Sequence, residues 1–304
     1  MPVSIQRLHT LTGHRDSIYA LAPAGLPGLF FSAGADSLVV QWDVNHPEEG
    51  LVLAKLSNPI YALHYDKKYN LLIAGHNFEG IHLLDWQNKC ETGSLKFTQA
   101  AVFALQTFDD TLFAGTGDGT LTAIDLPSLR VKKQVKASDK NLRCLSINPL
   151  TREIAAGYSD WQIRIFDLDT LELKFELPGH GNSVFTVRYT PSRSYLLSAG
   201  RDARLKAWDV QQNYAYIGEV VAHMYAINYI EFSPDNKHFV TCSLDKSIKV
   251  WELPTLTLLK VIDRARHAGH GTSVNRLLWL KEPNRLISAS DDRTLSVWQI
   301  EIQE

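Results

Sequence analysis

GHGNSVFTVRYTPSRSYLLSAGRDARLKAWD, residues 179–209, is the stretch whose reading decides the fold. Residues 183–189 are β-branched and aromatic, and Thr190, Pro191, Ser192 and Arg193 follow as a turn. Residues 194–199 form the next apolar run, and Gly200, Arg201, Asp202 and Ala203 make a tight turn. Residues 204–208 then alternate polar and apolar, and residues 215–220 add a fourth, weaker run. Short β runs punctuated by Pro, Gly and Asp are a hairpin signal. No long window shows helical periodicity.

Outward from this stretch the pattern repeats. Strand ends of the same type occur at Trp42-Asp43, Leu84-Asp85, Ile124-Asp125, Phe166-Asp167, Trp208-Asp209, Trp251-Glu252 and Trp298-Gln299, spaced by 42, 40, 42, 42, 43 and 47 residues. A fixed period near this length is the signature of a repeat architecture. Three further columns hold register with it. His14, His180, His223 and His270 each follow Gly or Ala and lie 28 residues before a tryptophan. Asp36, Asp118, Asp160, Asp202, Asp245 and Asp292 lie six residues before the strand-end residue. Ser32, Ser198, Thr241 and Ser288 lie four residues before the aspartate. Seven repeats of four short strands predict an all-β, seven-bladed β-propeller of antiparallel blades.

Gly-His, Ser/Thr, turn Asp and Trp-Asp in this order resemble the WD-repeat β-propeller family, over residues 4–301. The resemblance implies that an N-terminal strand, residues 4–11, closes the last blade, whose own repeat lacks room for a fourth strand. One domain over residues 1–304 is expected, with repeats ending near 43, 85, 125, 167, 209, 252 and 299.

His14, Ser32 and Asp36 have the composition of a nucleophile, base and orienter. The same trio recurs as His180, Ser198, Asp202, as His223, Thr241, Asp245 and as His270, Ser288, Asp292, each with its tryptophan (Trp42, Trp208, Trp251, Trp298). Four copies favour structure over catalysis. A Trp N–H donor, a hydroxyl that accepts and donates, and a His that passes the chain to Asp satisfy one another. Blades two, three and four depart from the pattern: the His position holds Leu56, Thr98 and Ser138, the Trp position holds Leu84, Ile124 and Phe166, and Phe78 replaces the turn aspartate of blade two.

The fifth residue after each His position reads Tyr19, Tyr61, Phe103, Arg143, Phe185, Asn228 and Asn275, and the residue before each turn aspartate includes Arg201, Leu244 and Asp291. The family resemblance implies that such positions contact peptide partners at the mouth of the channel. Aromatics and arginine suit that role, with large contact area and forked hydrogen bonding. Tyr19, Tyr61, Phe103, Arg143, Phe185, Arg201, Asn228, Asn275 and Asp291 are the candidate partner-binding residues; packing across the channel mouth is the competing reading. The interval from Trp251 to His270 is 19 residues against 14 in most repeats, and the extra residues, 264–271, are either a recognition loop or a tolerated surface insertion.

Other function classes fit less well. The chain has 304 residues, 45% apolar and 21% charged, with a net charge of −2. Basic and acidic residues are interspersed, so the basic stripe needed for nucleic acid or an anionic lipid surface is missing. No apolar run approaches the length of a membrane span. Cys90, Cys144 and Cys242 are odd in number and widely spaced, which suggests free thiols in a reducing compartment. The inner-strand column Ala22, His64, Gln106, Ser146, Arg188, Glu231 and Leu278 contains no metal set or close acid pair. The expectation is a non-catalytic scaffold or adaptor without cofactor or metal. It would bind a protein or peptide within an assembly, in the cytoplasm or, in a eukaryote, the nucleus. A propeller that binds an anionic headgroup or nucleic acid is the alternative, and a channel enzyme is a more distant one.

Overall fold

The structure, a computed structural model, describes residues 3–302, so the first two and last two positions of the expected domain lie outside it. Alternating apolar strands and left-handed turns dominate. Among the described residues there are 28 strands and one helical turn. The strands form seven four-stranded antiparallel sheets, the blades of a β-propeller.

Blade one contains β2 (Ile18–Pro23), β3 (Leu29–Gly34), β4 (Leu38–Asp43) and β5 (His46–Lys55). Blade two contains β6 (Ile60–Asp66), β7 (Leu71–His76), β8 (Gly80–Asp85) and β9 (Cys90–Leu95). Blade three contains β10 (Val102–Phe108), β11 (Thr111–Thr116), β12 (Thr120–Asp125) and β13 (Arg130–Lys136). Blade four contains β14 (Leu142–Asn148), β15 (Glu153–Tyr158), β16 (Ile163–Asp167) and β17 (Leu173–Leu177). Blade five contains β18 (Val184–Tyr189), β19 (Tyr195–Gly200), β20 (Arg204–Asp209) and β21 (Ala215–Val221), close to the runs read from the sequence. Blade six contains β22 (Ile227–Phe232), β23 (His238–Ser243), β24 (Ile248–Glu252) and β25 (Thr257–Ile262). A single helical turn, α1 (Arg264–His267), precedes blade seven, which contains β26 (Val274–Leu280), β27 (Arg285–Ser290) and β28 (Leu295–Ile302). The fourth strand of blade seven is β1 (Val3–Leu11), antiparallel to β28 with Val3 opposite Ile302 and Leu11 opposite Leu295. The N-terminal strand therefore completes the last blade, as the sequence predicts, and covers an edge that would otherwise be open.

The described chain divides into two compact units. One runs up to Ile60 and resumes at His223; the other is Tyr61–Ala222. In each unit the apolar cores lie between successive sheets. In the first, Leu11, Ile18, Phe30, Trp42, Leu278 and Val297 join blades seven and one. In the second, Ile163, Val184, Val187, Leu196, Trp208 and Tyr214 join blades four and five. A sheet that is covered on both faces reads as a near-continuous apolar run, which is why β3, β11 and β15 alternate little.

One irregularity recurs and positions the candidate site. In six blades the innermost strand shifts register against the second strand right after its first residue. The shifts fall at Ile18/Ala20, Val102/Ala104, Leu142/Cys144, Val184/Thr186, Ile227/Tyr229 and Val274/Arg276. A bulge leaves one residue unpaired and re-aims its side chain. The residues so released are Tyr19, Phe103, Arg143, Phe185, Asn228 and Asn275.

Candidate functional site

Each of the four His, hydroxyl, Asp and Trp sets is assembled within one blade. In blade one Trp42 Nε1 donates to Ser32 Oγ at 2.7 Å, and His14 joins Ser32 Oγ through Nε2 (2.7 Å) and Asp36 through Nδ1 (2.8 Å). The same three contacts measure 2.9, 2.9 and 3.0 Å around Ser198 in blade five. They measure 2.9, 2.7 and 2.9 Å around Thr241 in blade six. In blade seven, around Ser288, they are 2.8, 2.8 and 2.9 Å. With Nδ1–H donating to the carboxylate, Nε2 is left to accept from the hydroxyl. Ser32, Ser198, Thr241 and Ser288 are completely buried and saturated by their partners, so none is placed to attack a substrate.

The aspartates do more than orient the histidines. Asp36 accepts from the backbone N–H groups of Arg15 and Leu38, Asp202 from Gly181 and Arg204, Asp245 from Met224 and Ser247, and Asp292 from Gly271 and Thr294. Each carboxylate thus ties the loop entering its blade to the turn between the second and third strands. Burial by itself would raise the Asp202 carboxyl. The hydrogen bond and charge of His180, with the two backbone donors, outweigh burial and bring it down to about 2. Asp245 and Asp292 are likewise held far below the usual carboxylate range. A depressed carboxylate stabilises the fold fully above its unfolded value, near 4, and loses that contribution as pH falls through the folded value. The urea midpoint is therefore expected to drop steeply from about pH 4 towards pH 2 and below. Asp202→Asn is expected to flatten that drop; an unchanged profile in the variant would count against the linkage.

Blades two, three and four use other local solutions. Ser138 Oγ donates to Asp160 at 2.7 Å, and Arg164 Nη1 also reaches Asp160 at 2.9 Å while its guanidinium lies 4.6 Å from the centre of the Tyr158 ring. Thr116 Oγ1 donates to Asp118 at 2.6 Å. In blade two Phe78 is exposed in the turn, and the rings of His76 and His82 stack 4.8 Å apart on the two strands beside it.

The bulged residues behave differently in the two units. In the Tyr61–Ala222 unit Phe103, Arg143 and Phe185 meet, joined by Tyr61 of the same column. Tyr61 and Phe103 pack edge to face with ring centres 5.4 Å apart. The Arg143 guanidinium lies 4.5 Å from the centre of Phe103 and 5.8 Å from that of Phe185. Arg143 Nε donates to Ser159 Oγ at 3.0 Å, and the Asn141 amide, turned so that its nitrogen donates to the Gly117 carbonyl, accepts from Arg143 Nη2 at 2.9 Å. Burial, with the charge of Arg201 acting in the same direction, holds this guanidinium below its usual value. It stays charged at any physiological pH. Phe103, Arg143 and Phe185 all keep partial exposure, and Arg201 is exposed.

In the other unit the polar members of the column bridge successive blades. Asn228 Nδ2 donates to Ser273 Oγ (3.0 Å) and the Val274 carbonyl (2.8 Å). Asn275 Nδ2 donates to the Ile18 carbonyl (3.1 Å) and Asp291 (2.7 Å). Tyr19 is half-buried. The second candidate column lies alongside the first: the N–H groups of Gly117, Ser159, Arg201, Leu244 and Asp291 donate to carbonyls two residues before the bulged positions.

Two groups escaped the sequence reading. Met224, Tyr225 and Leu244, beside His223 and Asp245 in blade six, are 81%, 59% and 49% exposed on adjoining loops. Only Leu244 falls in a repeat column; Met224 and Tyr225 sit in the loop after the histidine, where the repeat carries no signal. Trp161 is half-exposed in the corresponding turn of blade four. His64, a member of the inner-strand column, contacts Thr107 Oγ1 through Nε2 at 2.8 Å, and burial pushes its imidazole down to about 4, so it is neutral. The insertion at 264–271 begins with the helical turn α1, which is capped by Asp263, whose side chain accepts from the Arg266 N–H at 2.8 Å, and is tied to β1 by Arg7 Nη1 donating to the Ala268 carbonyl at 2.6 Å.

Comparison with known proteins agrees with this geometry. The family model "WD domain, G-beta repeat" matches residues 5–43, 171–209, 215–252 and 263–299, the four segments that carry complete networks. The chain is similar to nuclear distribution protein nudF 1 of Talaromyces marneffei, 29% identical over 45% of this chain and 30% of that protein. It is 24% identical to nuclear distribution protein PAC1 of Arthroderma otae over 58% of this chain and 40% of that protein. It is 29% identical to a periodic tryptophan protein 2 homolog of Dictyostelium discoideum over 50% of this chain and 17% of that protein. The match spans less than half the length of each of these relatives. No helix among the described residues is long and apolar enough to cross a membrane. Seven four-stranded blades, four complete networks and a family model that covers half of the residues place this chain in the WD-repeat family of β-propellers.

Proposed function

We propose that this chain is a non-catalytic interaction module, acting as a subunit or adaptor in an assembly. The end of each blade that carries the His loop and the turn aspartate would bind a peptide or protein partner. The observation that carries this reading is the bulge in six innermost strands, which frees one side chain per blade at that end. Bulges serve to re-aim side chains where a surface does work. In the Tyr61–Ala222 unit those side chains make an aromatic and guanidinium stack of the kind found at binding hot spots. Met224, Tyr225 and Leu244 offer an apolar anchor site in the other unit. The saturation of all four His, hydroxyl and Asp trios supports a module without catalysis, and similarity to proteins named for nuclear distribution supports a scaffold role. Action in the cytoplasm or nucleus belongs to the same proposal.

A second reading has one observation in its favour. Arg143 and Arg201 lie close enough to influence each other, and Arg143 donates to the neutral Ser159 and Asn141 side chains, so this surface would welcome an acidic segment. Affinity capture from the source cell by the wild-type chain and by Phe103→Ala/Phe185→Ala separates the outcomes. Partners are expected to be depleted at least tenfold in the double variant while its far-ultraviolet circular dichroism is unchanged. Retention of every partner by the folded variant would refute the proposed face. Capture abolished by moderate salt alone would favour the anionic reading.

A further inference from the structure

We propose that His76, Glu79 and His82 of blade two bind a divalent transition-metal cation of the zinc class. The three residues lie on one hairpin: His76 ends β7, Glu79 is in the turn, and His82 lies on β8. Their ligand-type atoms all fall within 4.8 Å of one another, with His76 Nε2 4.0 Å from Glu79 Oε2.

The histidines are the second and independent observation. His76 is completely buried, and neither of its ring nitrogens makes a hydrogen bond of good geometry, the Asn77 backbone and the Glu79 carboxylate being its polar neighbours. His82 Nε2 is also buried without one. Three imidazole nitrogens are thus left unsatisfied in one place, each at a desolvation cost that folded proteins rarely leave uncompensated. The other nitrogen of His82 is engaged in a telling way: Nδ1 meets Glu91 Oε1 on β9 at 3.0 Å. A carboxylate on Nδ1–H fixes the tautomer that presents Nε2 as a lone-pair donor, the arrangement that supports metal-bound histidines.

Two imidazoles and one carboxylate match the ligand preferences of zinc, with nickel and copper next. Ion-to-ligand distances of about 2.0–2.2 Å require the three donors to draw closer. Glu79 can supply that movement, because it is in a turn and its side chain is 43% exposed. A small side-chain shift of His82, which is 15% exposed, made together with Glu91 so that their contact is kept, supplies the rest. Three protein ligands leave a fourth position open for water or for a partner's side chain. The setting explains the device. Blade two has no histidine network, and an ion held by β7, the turn and β8, backed from β9, would tie the same hairpin that the network ties elsewhere.

The test uses the full chain with Zn(II) or Co(II) as the probe, after chelator treatment. One equivalent of Co(II) is expected to bind with d–d bands of a low-coordinate nitrogen and oxygen site, to be displaced by Zn(II), and to raise the melting temperature. His82→Gln and Glu79→Gln, both at positions with solvent contact, are expected to weaken binding at least tenfold while the metal-free melting curve is kept. Glu91→Gln is expected to weaken it about tenfold through the tautomer. His46→Gln, on the exposed strand β5, is expected to change nothing. Absence of stoichiometric binding, or binding unaltered in both His82→Gln and Glu79→Gln, overturns the proposal. Loss in His46→Gln alone would assign the ion to an adventitious surface site and overturn it equally.

Discussion

Trp298→Ala is expected to lower the unfolding free energy by about 3–5 kcal/mol, the range for truncating a buried tryptophan. Trp298 has no exposed surface and packs among Val250, Ile262, Leu277, Leu286 and Ile300 between blades six and seven. Its removal leaves a cavity that the neighbouring strands, held by two ladders, cannot collapse to fill. It also deprives the buried Ser288 hydroxyl of its 2.8 Å donor. A milder substitution separates these two effects. Trp208→Phe keeps an aromatic body and removes only the N–H that reaches Ser198 at 2.9 Å, so its cost should be roughly 1–3 kcal/mol. Denaturant titration with an unchanged m-value reads both. A loss below about 1 kcal/mol for Trp298→Ala would mean that the site relaxes freely, contrary to close packing.

Deleting residues 3–11 should have an effect of similar size or larger. β1 buries Val3 and Leu11 and half-buries Ile5 and Leu8, and it pairs along its length with β28. Area bookkeeping for two buried and two half-buried aliphatic side chains gives roughly 5 kcal/mol. That is comparable to the whole net stability of many domains. The deletion would also bare β28, with Leu295 and Val297, as an apolar edge and invite self-association. The expected result is a melting temperature lowered by 10 °C or more, or aggregation. Addition of a synthetic nine-residue peptide VSIQRLHTL should restore part of the loss. A truncated chain that melts like the full one would show that the seam strand is dispensable.

The sequence made the fold legible where polar residues recur in register. Trp, Ser or Thr, His and Asp must meet at fixed offsets to satisfy one another, so blades one, five, six and seven announce themselves. Blades two, three and four were legible from strand spacing, with the turn aspartates Asp118 and Asp160 in two of them, because Leu84, Ile124 and Phe166 keep the buried position without the donor. The candidate site was legible as a column and not as a surface. Nothing in the residue types of Tyr19 or Arg143 indicates that a bulge releases them, since register is a property of the pair of strands. That Tyr61, Phe103, Arg143 and Phe185 stack while Asn228 and Asn275 bridge blades was equally hidden. The histidine pair of blade two was hidden because His76 and His82 come together only across a hairpin, away from the cysteines and the inner-strand column.

The pairing of β1 with β28 also has a mechanical consequence. Val3 lies opposite Ile302, and the bonded ladder runs inward from that pair to Leu11 and Leu295. Tension applied between Val3 and Ile302 would load the outermost bonds first and peel the two strands apart like a zipper. Hydrogen bonds perpendicular to the strands would then fail one pair at a time instead of sharing the load. The same seam that resists heat through its buried side chains would therefore yield to modest force, and do so before any blade interior is disturbed.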